Sequence, residues 1–184
     1  MLLIYESLVP VAYRKPFVIK VKQVALRLRV DPNWLMAIMY FESARTFSPS
    51  ITNSVGATGL IQFMPATAIG LGTTTAALRN MSAVQQLDWV EKYYKQSYKF
   101  LKISAASSYV DTYLITFFPA AVNKGLDFVI QTKTLSAALI ARQNPIFDTN
   151  KDGQLTVREV QNVMLNKLPK EWAATFLKKK VAEF

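Results

Sequence analysis

Phe41-Glu42-Ser43-Ala44-Arg45-Thr46-Phe47-Ser48-Pro49, followed by Val55-Gly56-Ala57-Thr58-Gly59-Leu60-Ile61-Gln62-Phe63-Met64-Pro65-Ala66-Thr67-Ala68, is the stretch on which the reading of this chain turns. Just upstream, Asp31-Pro32 marks a helix start, with an acceptor at the N-cap and proline at the first helical position. That helix runs through Trp34-Leu35-Met36-Ala37-Ile38-Met39-Tyr40-Phe41 to about Ser43. Leu35, Ile38 and Glu42 recur at i, i+3 and i+7, which places the acid on or beside the apolar face. Partial burial disfavours a carboxylate, and so does the negative dipole end of the last helical turn. The pattern therefore predicts an acid that keeps its proton near neutrality, as protonating a glycosidic oxygen requires. Spacing alone leaves the alternative of a surface glutamate at a frayed helix end, paired with Arg45. Downstream, Gly56 and Gly59 can hold a turn that other residues would strain. Gln62 carries a donor and acceptors suited to sugar amides and hydroxyls.

Working outward, the periodicity predicts a mostly α-helical fold. Residues 1 to 16 read as an irregular lead-in. Val18, Val21, Val24, Ala25 and Leu28 mark a helix over about 16–30, and Pro49 to Gly59 reads as loop. A short helix follows over 65–69, stopped by Gly70 and Gly72. Met81 to Leu101 forms one long amphipathic helix, with Val84, Leu87, Trp89, Val90, Tyr94 and Tyr98 spaced for burial. Val110 to Phe118 is apolar enough to be a buried helix or a strand, and its neighbours favour helix. Further helices are predicted over 134–142, 156–167 and 171–181.

The bulk properties remove many chemistries. There is no histidine and no cysteine, so Ser-His-Asp triads, thiolate nucleophiles and ordinary zinc-hydrolase sites are excluded. Catalysis must rest on carboxylates, Tyr, Lys or Ser. Half of the chain is apolar and 18% is charged, which suits a packed core. The 22 Lys+Arg against 12 Asp+Glu give a formal net charge of +10, attractive to nucleic acid, anionic lipid or an anionic cell wall. Met1-Leu2-Leu3-Ile4 is too short for a signal-peptide apolar region, and no stretch is long enough for a transmembrane segment. The plain expectation is an intracellular soluble protein; if the target is a cell wall, it is expected to be reached by lysis or in a phage particle.

The order Glu-Ser, Phe-x-Pro and Gly-Ala-x-Gly-Leu-x-Gln-x-Met-Pro-x-Thr-Ala resembles the soluble-lytic-transglycosylase-like family of peptidoglycan-cleaving enzymes, over roughly residues 24 to 70. The resemblance implies a lysozyme-like helical domain over 1–142, acting on the bond between N-acetylmuramic acid and N-acetylglucosamine in peptidoglycan glycan strands. It implies Glu42 as the acid/base and Ser43 as the serine beside it. Gln62, Phe63 and Met64 would line the glycan groove, with Ser54 also facing it. No cofactor is implied for catalysis. A hydrolase of the inverting kind would instead need a second carboxylate to activate water. Asp88, Glu91, Asp111 and Asp127 are available for that role, and spacing singles out none of them.

The family usually carries a Tyr-Asn-Ala-Gly-like motif whose tyrosine helps orient the acid. The comparable place here reads Ile115-Thr116-Phe117-Phe118-Pro119-Ala120-Ala121. With phenylalanine in the tyrosine's place, Tyr113 or Tyr109 would have to substitute from a neighbouring turn. A catalytically weak, glycan-binding or structural virion protein that retains the groove is the rival reading.

A separate signal is Asp148-Thr149-Asn150-Lys151-Asp152-Gly153-Gln154-Leu155-Thr156-Val157-Arg158-Glu159, which fits the twelve-residue EF-hand loop. Asp148, Asn150 and Asp152 supply side-chain oxygens, and Gly153 permits the sharp turn. Gln154 offers its carbonyl, Thr156 acts through water, and Glu159 closes the set. An Asx-rich turn capping the next helix is the plain alternative. A lone loop suits a structural calcium clip within a C-terminal segment, 143–184, and argues against a calcium-regulated interaction protein. Lys92, Tyr93, Tyr94, Lys95, Tyr98, Lys99 and Lys102 mix cations with rings as single-strand binders do. They are more simply the wet and buried faces of one helix, so no nucleic-acid partner is expected. Lys178-Lys179-Lys180 reads as a solvated helix end. The expected partners are glycan strands and, for a phage enzyme, other virion proteins.

Overall fold

The computed structural model describes residues 2–177. Among them the regular structure is helical, with three isolated antiparallel bridges and no strand. The chain folds as two compact units, the first running to Ala105 and the second starting at Ala106. This boundary falls inside the 1–142 segment assigned to the lysozyme-like domain from the sequence. The Lys178-Lys179-Lys180 run lies outside the described residues.

In the first unit α1 (Arg14–Leu28) buries Phe17, Val18, Val21, Val24, Ala25 and Leu28, the stripe its spacing predicts. It packs against α2 (Pro32–Glu42) and against the long α5 (Ala83–Leu101). Asp31 caps α2 by accepting from the Asn33 N–H. α2 is apolar on nearly every side and buries Trp34 through Met39. Arg27 on α1 grips Glu91 on α5 through two hydrogen bonds of 2.8 and 2.6 Å. The lead-in is less irregular than expected: it holds a 3-10 turn (Glu6–Leu8), and Ile4 and Val9 are buried. Tyr5 stacks on Tyr40 of α2 at 4.1 Å.

Two short helices follow α2, namely α3 (Pro65–Gly70) and α4 (Thr75–Arg79), the second unforeseen in the sequence. α5 opens on a capping box between Ser82 and Gln85. Leu87, Val90, Tyr94 and Tyr98 are buried as expected. Val84 and Trp89 are only half-buried, and Gln86 takes an inward place that its polarity hides from a hydrophobicity reading.

The second unit holds α6 (Tyr109–Phe117), α7 (Ala137–Gln143), α8 (Val157–Asn166) and α9 (Lys170–Phe176). The ambiguous 110–118 run is a helix, capped by the Ser108 hydroxyl on the Asp111 N–H. It packs against α8. Tyr113, Phe117 and Phe147 form an aromatic cluster, with Tyr113 stacked on Phe117 at 5.7 Å.

Candidate functional site

Glu42 is the last residue of α2 and is part-buried. The chain turns sharply behind it: Ala44, Arg45 and Phe47 all have positive φ, at 49°, 67° and 53°. Three non-glycine residues in that region within four positions store local strain, and such strain persists only where the surroundings impose it. The surroundings here are visible. Phe47 is fully buried against Phe17 and Tyr40, and its carbonyl accepts from the Tyr13 hydroxyl at 3.1 Å. Ser43 is also fully buried, and its hydroxyl accepts from the Phe47 N–H at 2.9 Å. Ser43 therefore shapes the turn beneath the acid, and its side chain does not reach the surface as a groove residue would.

The segment read as loop, 49–59, is a small bridged turn. Thr58 pairs with Thr52 on one side and Phe63 on the other. Gly56 and Gly59 have φ of 82° and 85°, so both glycines occupy the conformation for which they were singled out. At Gly59 a second reason appears, because a Cβ there would lie 2.2 Å from the Gln86 side chain. Gln86 is fully buried and ties the turn to α5. It accepts from the Leu60 N–H at 2.7 Å and donates to the carbonyls of Pro49 and Leu78 at 2.9 and 3.1 Å.

The proposed groove residues divide. Met64 and Ser54 are exposed, and Gln62 is part-buried with a φ of 53°. The Gln62 amide nitrogen donates to the carbonyls of Ile51 and Gly59, which leaves its carbonyl end as the more available group. Phe63 is buried, edge-on to Tyr93 at 6.2 Å. Tyr113 belongs to the second unit, where it is buried in the aromatic cluster, and Tyr109 packs on Phe176 in the same unit.

Tyr93 is the residue that sequence reasoning passed over in this site. It is part-exposed on α5, and burial pushes its hydroxyl up to about 12, against the pull of its hydrogen bond with Ser97, with the Glu42 carboxylate adding to the rise. Glu42 and Tyr93 thus lie within electrostatic reach of one another, and Tyr93 stays protonated at neutral pH. Its place in a Lys-Tyr-Tyr-Lys run drew attention to charge, while only the packing of α5 brings it to the acid.

The four other acids available for a two-carboxylate reaction are all engaged elsewhere. Asp88 pairs with Lys20, and Glu91 with Arg27 and Lys95. Asp111 accepts from Ser107, Ser108 and the Asn123 N–H. Asp127 pairs with Arg158.

In the second unit the Asp148–Glu159 loop curls through two left-handed residues, Lys151 and Gly153, at φ 60° and 78°. Asp148 accepts from the Gly153 N–H at 3.2 Å through Oδ2, and Asn150 and Asp152 bond to one another at 2.9 Å. The Gln154 N–H donates to Asp152 Oδ1 at 2.9 Å. Thr156 and Glu159 form a capping box at the start of α8. Among the described residues no three acids gather closely enough to hold a metal by themselves.

Glu42 at the C-terminus of buried α2, followed by a glycine-shaped turn inside an all-helical unit, is consistent with the mostly α-helical, lysozyme-like fold expected from the sequence. Residues 20–109 match the family described as Transglycosylase SLT domain, a span that contains Glu42, the bridged turn and all of α5. Comparison with curated proteins and with solved structures found no match. Among the described residues no helix is long and apolar enough to cross a membrane.

Proposed function

We propose that the chain is a peptidoglycan lytic transglycosylase in which Glu42 is the single acid/base. The observation that carries this reading is the SLT match itself, whose span holds Glu42 at the end of α2 beside the bridged turn and Tyr93. In the reaction Glu42 protonates the oxygen leaving N-acetylmuramic acid, and the acetamido group of the substrate stabilises the oxocarbenium-like centre. Glu42 then takes the proton of the C6 hydroxyl as that oxygen closes the 1,6-anhydro ring. No water is consumed, which agrees with the ion pairs and hydrogen bonds that occupy Asp88, Glu91, Asp111 and Asp127. Tyr93, within electrostatic reach of Glu42, is the tyrosine of the first unit proposed to serve in place of the one missing from the 115–121 segment. Delivery in a phage particle belongs to the same proposal and would place the chain among the proteins of purified virions.

Digesting purified peptidoglycan with the wild type and Glu42→Gln, and identifying the products by mass spectrometry, tests the reading. Anhydro-muramyl products from the wild type alone are expected. Reducing-end products would replace it with hydrolysis. Wall binding without any product would replace it with a glycan-binding protein.

A further inference from the structure

We propose that the Asp148–Glu159 loop binds one calcium ion, and that the ion draws Glu159 out of a helix cap and pins the Leu126–Ile130 segment to α8. The starting observation is a single atom. Asp148 Oδ1 is shielded from water and accepts no hydrogen bond, while Oδ2 of the same carboxylate takes the Gly153 N–H. A buried acceptor without a protein partner is costly, and a bound cation is one of the groups that can satisfy such an oxygen.

Glu159 points the same way independently. It is 7% exposed, and its hydrogen bonds come from uncharged groups: the Thr156 N–H and hydroxyl at 2.9 and 2.8 Å on Oε2, and the Thr149 hydroxyl at 3.3 Å on Oε1. Among the described residues neither Asp148 nor Glu159 has a Lys or Arg counter-ion. Carboxylates shielded from water without a cation of the protein's own call for one from outside.

The donor set selects the ion. Asp148, Asn150, Asp152, the Gln154 carbonyl and Glu159 offer oxygen alone, which suits a hard cation that accepts mixed carboxylate, amide, carbonyl and water ligands. Nitrogen and sulfur ligands that would favour zinc or copper are absent from the loop. The acids are not gathered as they stand, because Glu159 is held by Thr156 in the capping box. Binding therefore trades one helix cap for ion ligation. That exchange places the affinity in the range of about 10⁻⁵ to 10⁻³ M rather than that of a tight calcium buffer.

The consequence for the fold follows from what the end of the loop already holds. The Ile130 N–H donates to Leu155 O at 2.7 Å, and Val129 forms an antiparallel bridge with Thr156. The Val157 and Arg158 N–H groups donate to Phe128 O and Leu126 O at 3.1 and 2.8 Å. Fixing residues 154–159 around an ion fixes their partners at 126–130 as well.

The experiment is calorimetric titration of the full chain with calcium and with magnesium, together with thermal unfolding in EDTA and in millimolar calcium and hydrogen exchange in both. One equivalent of calcium is expected, with a Tm gain of several degrees and slower exchange at 126–130 and 155–158. Glu159→Gln keeps an N3 side chain able to cap Thr156, so it should match the wild-type Tm in EDTA while losing at least about ten-fold in calcium affinity. Asp148→Asn should behave in the same way, since its amide oxygen can still accept from Gly153. Absence of binding up to about 10 mM calcium would overturn the proposal. So would wild-type affinity in both variants, or magnesium binding as tightly as calcium.

Discussion

Glu42 and Tyr93 come from different helices, α2 and α5, and the proposed residue-scale chemistry uses both. Removing the Tyr93 hydroxyl leaves the Phe63 ring contact possible but takes away a polar group within electrostatic reach of the acid. Tyr93→Phe is expected to fold normally and lose about ten- to a hundred-fold in turnover on purified peptidoglycan, with the same product distribution. Unchanged turnover would remove Tyr93 from the site. Glu91 illustrates the opposite case, an acid committed to structure. Its hydrogen bond from Arg27, helped by Lys95, lowers its carboxyl from the ordinary 4.5 to about 2. A lowered folded value means the stabilisation is complete above about pH 4.5 and is lost as pH falls from there through about 2. Because Arg27 and Lys95 are about half exposed, the contribution is about 1–2 kcal/mol rather than the full linkage value. Urea unfolding of Glu91→Gln should show that much less stability at pH 6 and a flatter profile between pH 4.5 and 2.

At the scale of elements, the bridged turn after α2 is held by α5 through a single side chain. Gln86→Ala would leave the Leu60 N–H and the Leu78 carbonyl, both buried, and the part-buried Pro49 carbonyl without their partner. The expected loss is about 2–4 kcal/mol by denaturant titration, and under the proposed function activity falls more steeply than stability because the turn carries Gln62, a proposed groove residue. Gly59→Ala attacks the same joint from the other side, through both the close approach of Gln86 and the positive φ. It should cost at least as much. A Gly59→Ala protein as stable as the wild type would show that the turn can move away from α5.

For the whole molecule, the net charge of +10 would draw the proposed enzyme toward an anionic wall. Co-sedimentation with peptidoglycan bearing anionic polymers should weaken several-fold between about 50 and 500 mM salt, since exposed charges are screened beyond a few ångströms at the higher value. Salt-independent binding would assign the affinity to the groove alone. The division between the compact units falls at Ala105–Ala106, whereas composition and motifs alone place it after residue 142. The difference arises from α6, whose apolar surface reads equally well as core for the preceding helices. Its packing with α8 and the rings of Phe117 and Phe147 put it in the second unit, and these are long-range interactions with no local signal.

The sequence by itself determined the helical class, the start of α2 at Asp31-Pro32, the burial stripe of α1 and the position of Glu42 at a helix end. These depend on capping chemistry and on a 3.6-residue period, both local. It also marked Gly56 and Gly59, because positive φ is written into the residue type. The tertiary structure alone decided which polar side chains are interior. Gln86, Ser43 and Glu91 look like surface residues until their partners at Leu60, Phe47 and Arg27 are seen. It alone brought Tyr93 to Glu42 and left Tyr113 in another unit, since neither helix records in its own periodicity which partner its polar edge will face.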